Sequence, residues 1–210
     1  MIASAAKALF GRAFSGRDYL MLFSLRIDET GTDGLSSAMA IGGAVAPIEG
    51  WDALEMAWQS LLSQRGLDAF HLKEFDQRSG PFEGWSDLKC VNFEKRIAKI
   101  VAGNTTFRTA IAIDSAAHKD IKQRMRGISG FAPDSDYSLC LRYLMFQTCE
   151  HLVQIDPECR LSIIVEDGPW ASGAMATYQR VAAMTGKWKP AKHAHRLAGF
   201  LSHPKSLIRN

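Results

Sequence analysis

The sequence lacks a long hydrophobic run and has few cysteines. No stretch of about 18 apolar residues occurs, which excludes a membrane-spanning helix. The four cysteines of the 210 residues are far apart and form no C-x-x-C motif. This spacing favours reduced thiols over a disulfide framework. We therefore predict a cytoplasmic protein in which none of the cysteines is bridged.

Several motifs of well-known enzyme classes are also absent. The chain has no G-x-S-x-G elbow, no G-x-x-x-x-G-K-[ST] phosphate loop, no dinucleotide-binding G-x-G-x-x-G and no H-E-x-x-H. Its length, with 47% apolar and 22% charged residues, suits one globular domain. A mechanism must therefore be sought among scattered polar residues.

Acidic residues are missing from the last 43 positions, which carry seven Lys or Arg and three of the six histidines. Residues 1–167 have the opposite balance, with 18 basic and 22 acidic groups. A basic segment at 180–209 fits a nucleic-acid partner. Solvated side chains, or pairing with acids of the same chain, explain it equally well, and both alternatives stay open.

Residues 1–20 are rich in alanine and contain no acid before Asp18. Their apolar run is interrupted at Lys7 and is too short for a good signal peptide. Met21 stands directly before the stretch Leu22–Gly34, which carries the first acidic pair. We predict an N-terminal extension over 1–20 and a single domain over 21–210.

Hydrophobic periodicity predicts strands and helices in alternation. Strands are expected at 20–28, 37–47, 105–113 and 160–165, the first two as an antiparallel hairpin. Helices are expected from Trp51 to Gly66 and at 87–102, 115–126, 135–155 and 171–185, with Ser86 as an N-cap. The order predicts an α/β fold.

Carboxylates follow three of these strands. Asp28-Glu29 ends the first, Asp114 ends the third, and Glu166-Asp167 ends the fourth. Neighbouring strand residues point to opposite faces, so only one of the first pair can face a shared centre, and we favour Asp28. Such acids at the carboxyl ends of strands can hold Mg²⁺ or Mn²⁺ for phosphodiester hydrolysis. They also serve as ordinary turn and cap residues.

A second candidate is the segment Asp68–Asp76. If it is helical, His71 and Glu74 share one face, which suits metal binding or proton transfer. A structural hydrogen bond is the plainer reading of the same spacing. His193 and His195 could also share a face of a strand, but no acid or cysteine lies near them in sequence.

The order of motifs I-D-E-T-G, I-G-G-A-V-A, F-H-L-K-E-F and I-I-V-E-D-G resembles the uncharacterised DUF3800 family over about residues 22–203. The resemblance implies a ribonuclease H-like fold with a mixed sheet of four or five strands flanked by helices. By this resemblance Asp28 matches the family's first strand acid, and Glu166 or Asp167 matches its second acidic strand end. His71 and Glu74 match its F-H-x-x-E segment. Family members have a Ser where this chain has Thr30, which keeps the hydroxyl.

The resemblance also implies a Q-x-x-D segment that this sequence lacks, so we expect a C-terminally truncated site. The leading hypothesis is a nuclease or phosphodiesterase with Asp28, Glu166 and Asp167 as ligands of Mg²⁺ or Mn²⁺ and with His71 and Glu74 at the rim. The alternative is a non-catalytic ribonuclease H-like binding or assembly module. Acid–base chemistry on a small molecule by His71 and Glu74 is a third option.

Overall fold

The computed structural model describes residues 22–31, 36–128, 133–184, 193 and 196–203. A hairpin of two strands comes first, and helices separate the later strands from one another. The strands are β1 (Leu22–Thr30), β2 (Ala38–Pro47), β3 (Phe107–Asp114), β4 (Arg160–Glu166) and β5 (Leu197–His203). The helices are α1 (Ile48–Ser63), α2 (Leu72–Gln77), α3 (Asp87–Asn104), α4 (Ser115–Arg124), α5 (Asp136–Ile155) and α6 (Ala171–Ala182), with a 3-10 turn at Gly80–Phe82.

The five strands form one mixed sheet in the order β3-β2-β1-β4-β5. Strand β2 is antiparallel to both β1 and β3, whereas β4 is parallel to β1 and β5 is parallel to β4. All strands except β2 therefore run in the same direction. This arrangement confirms the predicted fold class, an α/β fold with a mixed sheet flanked by helices.

Alternation along β1 gives the sheet two different faces. Phe23, Leu25 and Ile27 are buried in the main core, and we call their side the packed face. Helices α5 and α6 cover the packed face through side chains such as Leu144 and Val181. The other side carries the even-numbered residues of β1, and we call it the site face.

Helix α1 packs on the site face near the start of β1, where Trp51 Nε1 donates a hydrogen bond to the backbone oxygen of Ser24 (3.2 Å). Beyond α1 lies a second core. Its buried residues come from α1, α2, the 3-10 turn, α3 and the loops between them, and include Leu61, Phe75, Phe82, Trp85 and Phe93. Among the described residues, no strand contributes a buried side chain to this second core.

Several element boundaries agree with the prediction. Ser86 caps α3, since its hydroxyl accepts the N–H of Lys89 (3.3 Å). All four cysteines are buried and free, as expected. Burial raises the pKa of Cys140 to about 11 and of Cys149 to about 12, which leaves both thiols protonated and unreactive at neutral pH.

Two features differ from the prediction. Strand β1 continues to Thr30, so Asp28 and Glu29 lie inside the strand instead of at its end. Strand β5 was not predicted, because its sequence LAGFLSH follows a basic segment and has no strong alternation. The predicted extension over 1–20 lies outside the described residues. Within the described part of the chain, no helix has the length and apolar character needed to cross a membrane.

Candidate metal site at the carboxyl ends of the strands

The directions of the strands bring four carboxyl ends to one edge of the sheet. Strands β1, β4 and β5 are mutually parallel neighbours, and β3 runs the same way beyond β2. Asp28, Asp114 and Glu166 are therefore at the same edge. In open α/β sheets this edge is where ligands bind.

Asp28 and Glu166 lie near the carboxyl ends of two neighbouring strands, two residues beyond the last pair of the β1–β4 register. The parallel register pairs Ser24 with Ser162 and Arg26 with Ile164, and two further residues along each strand lead to Asp28 and Glu166. Both side chains belong to the site face by alternation, and neighbouring strands lie about 4.8 Å apart. Strands β1 and β4 are adjacent in the sheet, and a site shared by Asp28 and Glu166 stays a prediction.

Asp28 is exposed and partly free to bind a ligand. Its Oδ1 accepts the N–H of Glu29 (3.0 Å), and its Oδ2 has no partner among the described residues. On the side away from β4, Asp28 pairs with Gly42, and a Cβ added to Gly42 would have no atom within 4 Å. Space is therefore available beside the carboxylate.

Glu29 points to the packed face, as alternation predicts. It is half-buried there near the start of α5. Burial raises the pKa of Tyr137, and the negative charge of Glu29 adds to this effect. Tyr137 also stacks on Trp170, with ring centroids 5.4 Å apart. Glu29 therefore belongs with the packing of α5 and not with Asp28.

Arg26 is a charged residue of the site face that the sequence analysis missed. Its guanidinium lies 4.5 Å from the ring centroid of Trp51, and its buried Nε has no hydrogen-bond partner among the described residues. Burial lowers the pKa of Arg26, an effect opposed by Glu55 and Asp52. The sequence contained the signal, because Ser24, Arg26 and Asp28 occupy every second position of the strand and therefore share one face.

The other two strand-end acids have different positions. Asp167 is exposed in the bend that follows β4, directly after Glu166. Asp114 is the N-cap of α4, and its Oδ1 accepts the N–H of Ala117 (2.8 Å). Strand β2 separates Asp114 from Asp28. The helix-cap alternative for Asp114 is therefore confirmed.

His71 and Glu74 do not share a helix face, because α2 begins only at Leu72. His71 precedes the helix in an extended conformation (φ −116°, ψ 112°) and is exposed. Glu74 lies in the first turn of α2, and its neighbour Phe75 is buried in the second core. Within the described residues, no hydrogen bond or ion pair joins either residue to Asp28. Their role at the rim stays a prediction.

Two arginines of the basic segment pair with acids of the same chain. Arg180 lies 3.3 Å from the buried carboxylate of Asp134, and Arg196 lies 3.6 Å from Glu158. This is one of the alternatives left open by the sequence. His195 and the lysines of the segment, Lys187, Lys189, Lys192 and Lys205, lie outside the described residues.

The residues at the edge fit a hard dication. Asp28 and Glu166 offer carboxylate oxygens, and Mg²⁺ is commonly held by one or two carboxylates, with water and substrate phosphates at its other positions. Among the residues that the structure describes, no three His, Cys, Asp or Glu side chains form a metal-binding group. Asp28 and Glu166 are therefore the two candidate ligands at this edge.

No family model and no curated protein matches the chain. Among solved structures, it is similar to Bst-RNase HIII in complex with Mn²⁺, with 12% identity and a TM-score of 0.46. A mutant of the same enzyme gives 14% identity and a TM-score of 0.42. In both cases the match covers 99% of this chain and 57% of the other. These values carry no argument about activity.

Proposed function

We propose that this protein is a divalent-metal-dependent phosphodiesterase that hydrolyses nucleic acid at Asp28 and Glu166. The observation that supports the proposal is the parallel register of β1 and β4, which, continued by two residues, directs Asp28 and Glu166 to one face at the carboxyl edge of the sheet. Two carboxylates that converge there would repel one another. A dication between them removes that cost.

In this proposal Asp28 and Glu166 hold the ion, and Asp167 adds a third carboxylate from the bend after β4. A divalent ion at this position supplies Lewis-acid stabilisation of a phosphodiester and activation of water. The small residues beside Asp28, Gly42 above all, leave room for a polymer to approach the carboxylates. His71 and Glu74 would contact the substrate at the rim.

The basic segment 180–209 would hold phosphates in the same scheme. Contacts between Lys or Arg and phosphate weaken steeply as salt concentration rises. Arg180 and Arg196 already have acidic partners, so the binding contribution is assigned to the remaining basic residues. Affinity for an oligonucleotide should therefore fall between low and moderate salt, and a flat response would remove the segment from the proposal.

The activity test uses labelled single-stranded DNA, duplex DNA, RNA and an RNA–DNA hybrid, each with Mg²⁺ or Mn²⁺ and with EDTA. We expect metal-dependent cleavage of at least one substrate, and loss of cleavage in Asp28→Asn and Glu166→Gln. Asp114→Asn is the matched control, because Asn also caps helices well and Asp114 lies two strands from Asp28. Cleavage by Asp28→Asn at the wild-type rate would contradict the assignment.

One observation favours the non-catalytic binding or assembly module instead. The described residues supply two adjacent strand-end acids and no metal-binding group of three, and Arg26 carries a positive charge on the same face. A protein that binds Mn²⁺ through Asp28 but cleaves none of the four substrates would be such a module.

A further inference from the structure

Strand β3 is an edge strand without the usual protection. It pairs with β2 on one side, and no described strand lies on its other side. Edge strands are normally blocked by charges, proline or a bulge, because their free backbone groups can pair with another chain. Between Arg108 and Asp114, the sequence TAIAI has no charge and no proline.

The backbone groups of alternate residues of β3 point outward. Ser115 N–H donates to the backbone oxygen of Ser37 (3.0 Å), which continues the register of β2 and β3. In an antiparallel ladder, hydrogen-bonded pairs alternate with pairs that are not hydrogen-bonded. The backbone groups that bond to β2 are therefore those of Ile113, Ile111 and Thr109. The N–H and C=O groups of the even-numbered residues therefore face away from β2. These residues are Arg108, Ala110, Ala112 and Asp114.

We propose that the free edge of β3 pairs with β3 of a second copy of this chain, antiparallel, about a two-fold axis at Ile111. In this register Arg108 lies opposite Asp114 of the partner subunit, and the two-fold axis creates this charge pair twice. Ala110 lies opposite Ala112 of the partner subunit. The pairing joins the outward backbone groups of both strands into one continuous sheet.

Charge complementarity selects the second copy as the occupant. Arg108 and Asp114 are the only charged residues of β3, and both are exposed on the site face. Arg108 Nη1 bonds to Thr105 and to the backbone oxygen of Ala102, and Asp114 Oδ1 caps α4. Arg108 Nη2 and Asp114 Oδ2 have no partner among the described residues. Each can therefore pair across the two-fold axis without breaking an existing bond.

Side chains on both faces of β3 permit the close approach. On the site face Ala110 and Ala112 are exposed and small. On the packed face, α5 runs beside β3, where Thr109 bonds to Gln147 (2.8 Å) and Phe107 stacks on His151 (4.0 Å). One turn before Gln147, the aromatic ring of Tyr143 is on the same side of α5 and 39% exposed. Tyrosine is enriched at protein interfaces.

The test measures the molar mass of the whole chain by analytical ultracentrifugation over a range of concentrations. We expect wild-type protein to be a dimer. Arg108→Glu and Asp114→Lys should each raise the Kd of the dimer at least about tenfold, because each sets like charges opposite one another twice. An equimolar mixture of the two variants should restore the dimer, because all the facing charges are then opposite in sign.

Lys95→Glu on α3 and Asp120→Lys on α4 are matched controls that make the same charge changes at exposed positions away from the edge. Circular dichroism checks that each variant is folded. If Asp114→Lys unfolds through loss of its helix cap, Ala112→Lys tests the same edge without touching the cap. A wild-type monomer, a dimer indifferent to Arg108→Glu, or a mixture that stays monomeric would each overturn the proposal. The test involves no metal or substrate, so its result is independent of the proposed function.

Discussion

The side chains on the two faces of β1 have different roles. On the packed face Phe23, Leu25 and Ile27 are at most 8% exposed and contribute to the main core. On the site face Asp28 is exposed, and Arg26 is half-buried against Trp51. A single strand therefore anchors the sheet with one set of alternate residues and presents polar chemistry with the other.

Two adjacent glycines of β2 show the same contrast. A Cβ on Gly43 would lie 2.6 Å from Leu25 Cδ1 and 3.3 Å from Leu144 Cδ2, whereas a Cβ on Gly42 would meet nothing within 4 Å. Gly43 is therefore required for packing, and Gly42 leaves space beside Asp28. The comparison shows that a glycine pair has to be interpreted one face at a time.

The largest expected effect is on the packed face. Leu144 of α5 is fully buried in the main core. Leu144→Ala should lower the free energy of unfolding by about 2–5 kcal/mol, because it removes buried apolar groups and leaves a cavity. Denaturant unfolding measures this loss. Met56→Ala, at a side chain 70% exposed, is the control and should change stability little; equal losses would refute the assignment of the core.

The two glycines should respond to alanine in opposite directions. Gly43→Ala should cost about 1–3 kcal/mol of stability through overpacking against Leu25 and Leu144. Gly42→Ala should be neutral or stabilise by about 0.5 kcal/mol, because it restricts the unfolded chain and meets no atom. Thermal and denaturant unfolding of both variants compare the faces directly. A destabilising Gly42→Ala as large as Gly43→Ala would remove the distinction.

A smaller effect is expected from pH at the start of α5. Burial acts to raise the pKa of Asp136, but hydrogen bonds from His118, Ser115 and Lys122 lower it overall. Since the lowered pKa belongs to the folded state, the stability that Asp136 contributes is present above about pH 4 and is lost as pH falls through that lowered pKa.

Asp136→Asn should therefore weaken the dependence of stability on pH in this acidic range. Denaturant unfolding at a series of pH values measures it for wild type and variant, and Asp120→Asn is a control at an exposed residue of α4. Curves for wild type and Asp136→Asn that stay parallel from neutral to acidic pH would show that Asp136 contributes nothing by its charge.

Much of the fold could be predicted because its signals are local. The alternation of β1 and the helical spacing of α1, α3 and α5 set the element types, and Ser86 identified the start of α3. The opposite directions of Asp28 and Glu29 also follow from alternation alone. That the strands carrying Asp28 and Glu166 are neighbours depends on pairing between segments distant in sequence, which the sequence pattern alone does not give.

The misses have physical causes. The expected shared helix face of His71 and Glu74 does not form, because α2 starts only at Leu72. A helix of six residues is also too short to give a periodic hydrophobic signal in the sequence. Strand β5 forms through its pairing with β4. Its own sequence has no pattern that predicts this pairing. The DUF3800 resemblance stays a prediction, since no family model matches.

The most direct test of the central claim is to measure Mn²⁺ binding by calorimetry and by the rise in melting temperature that the ion causes. The proteins compared are wild type, Asp28→Asn, Glu166→Gln and Asp114→Asn. Binding of the ion to the folded state alone raises stability with concentration. We predict that wild type and Asp114→Asn bind Mn²⁺ and are stabilised by it, and that Asp28→Asn and Glu166→Gln lose both effects. Equal binding and equal stabilisation in all four proteins would contradict a metal site between β1 and β4.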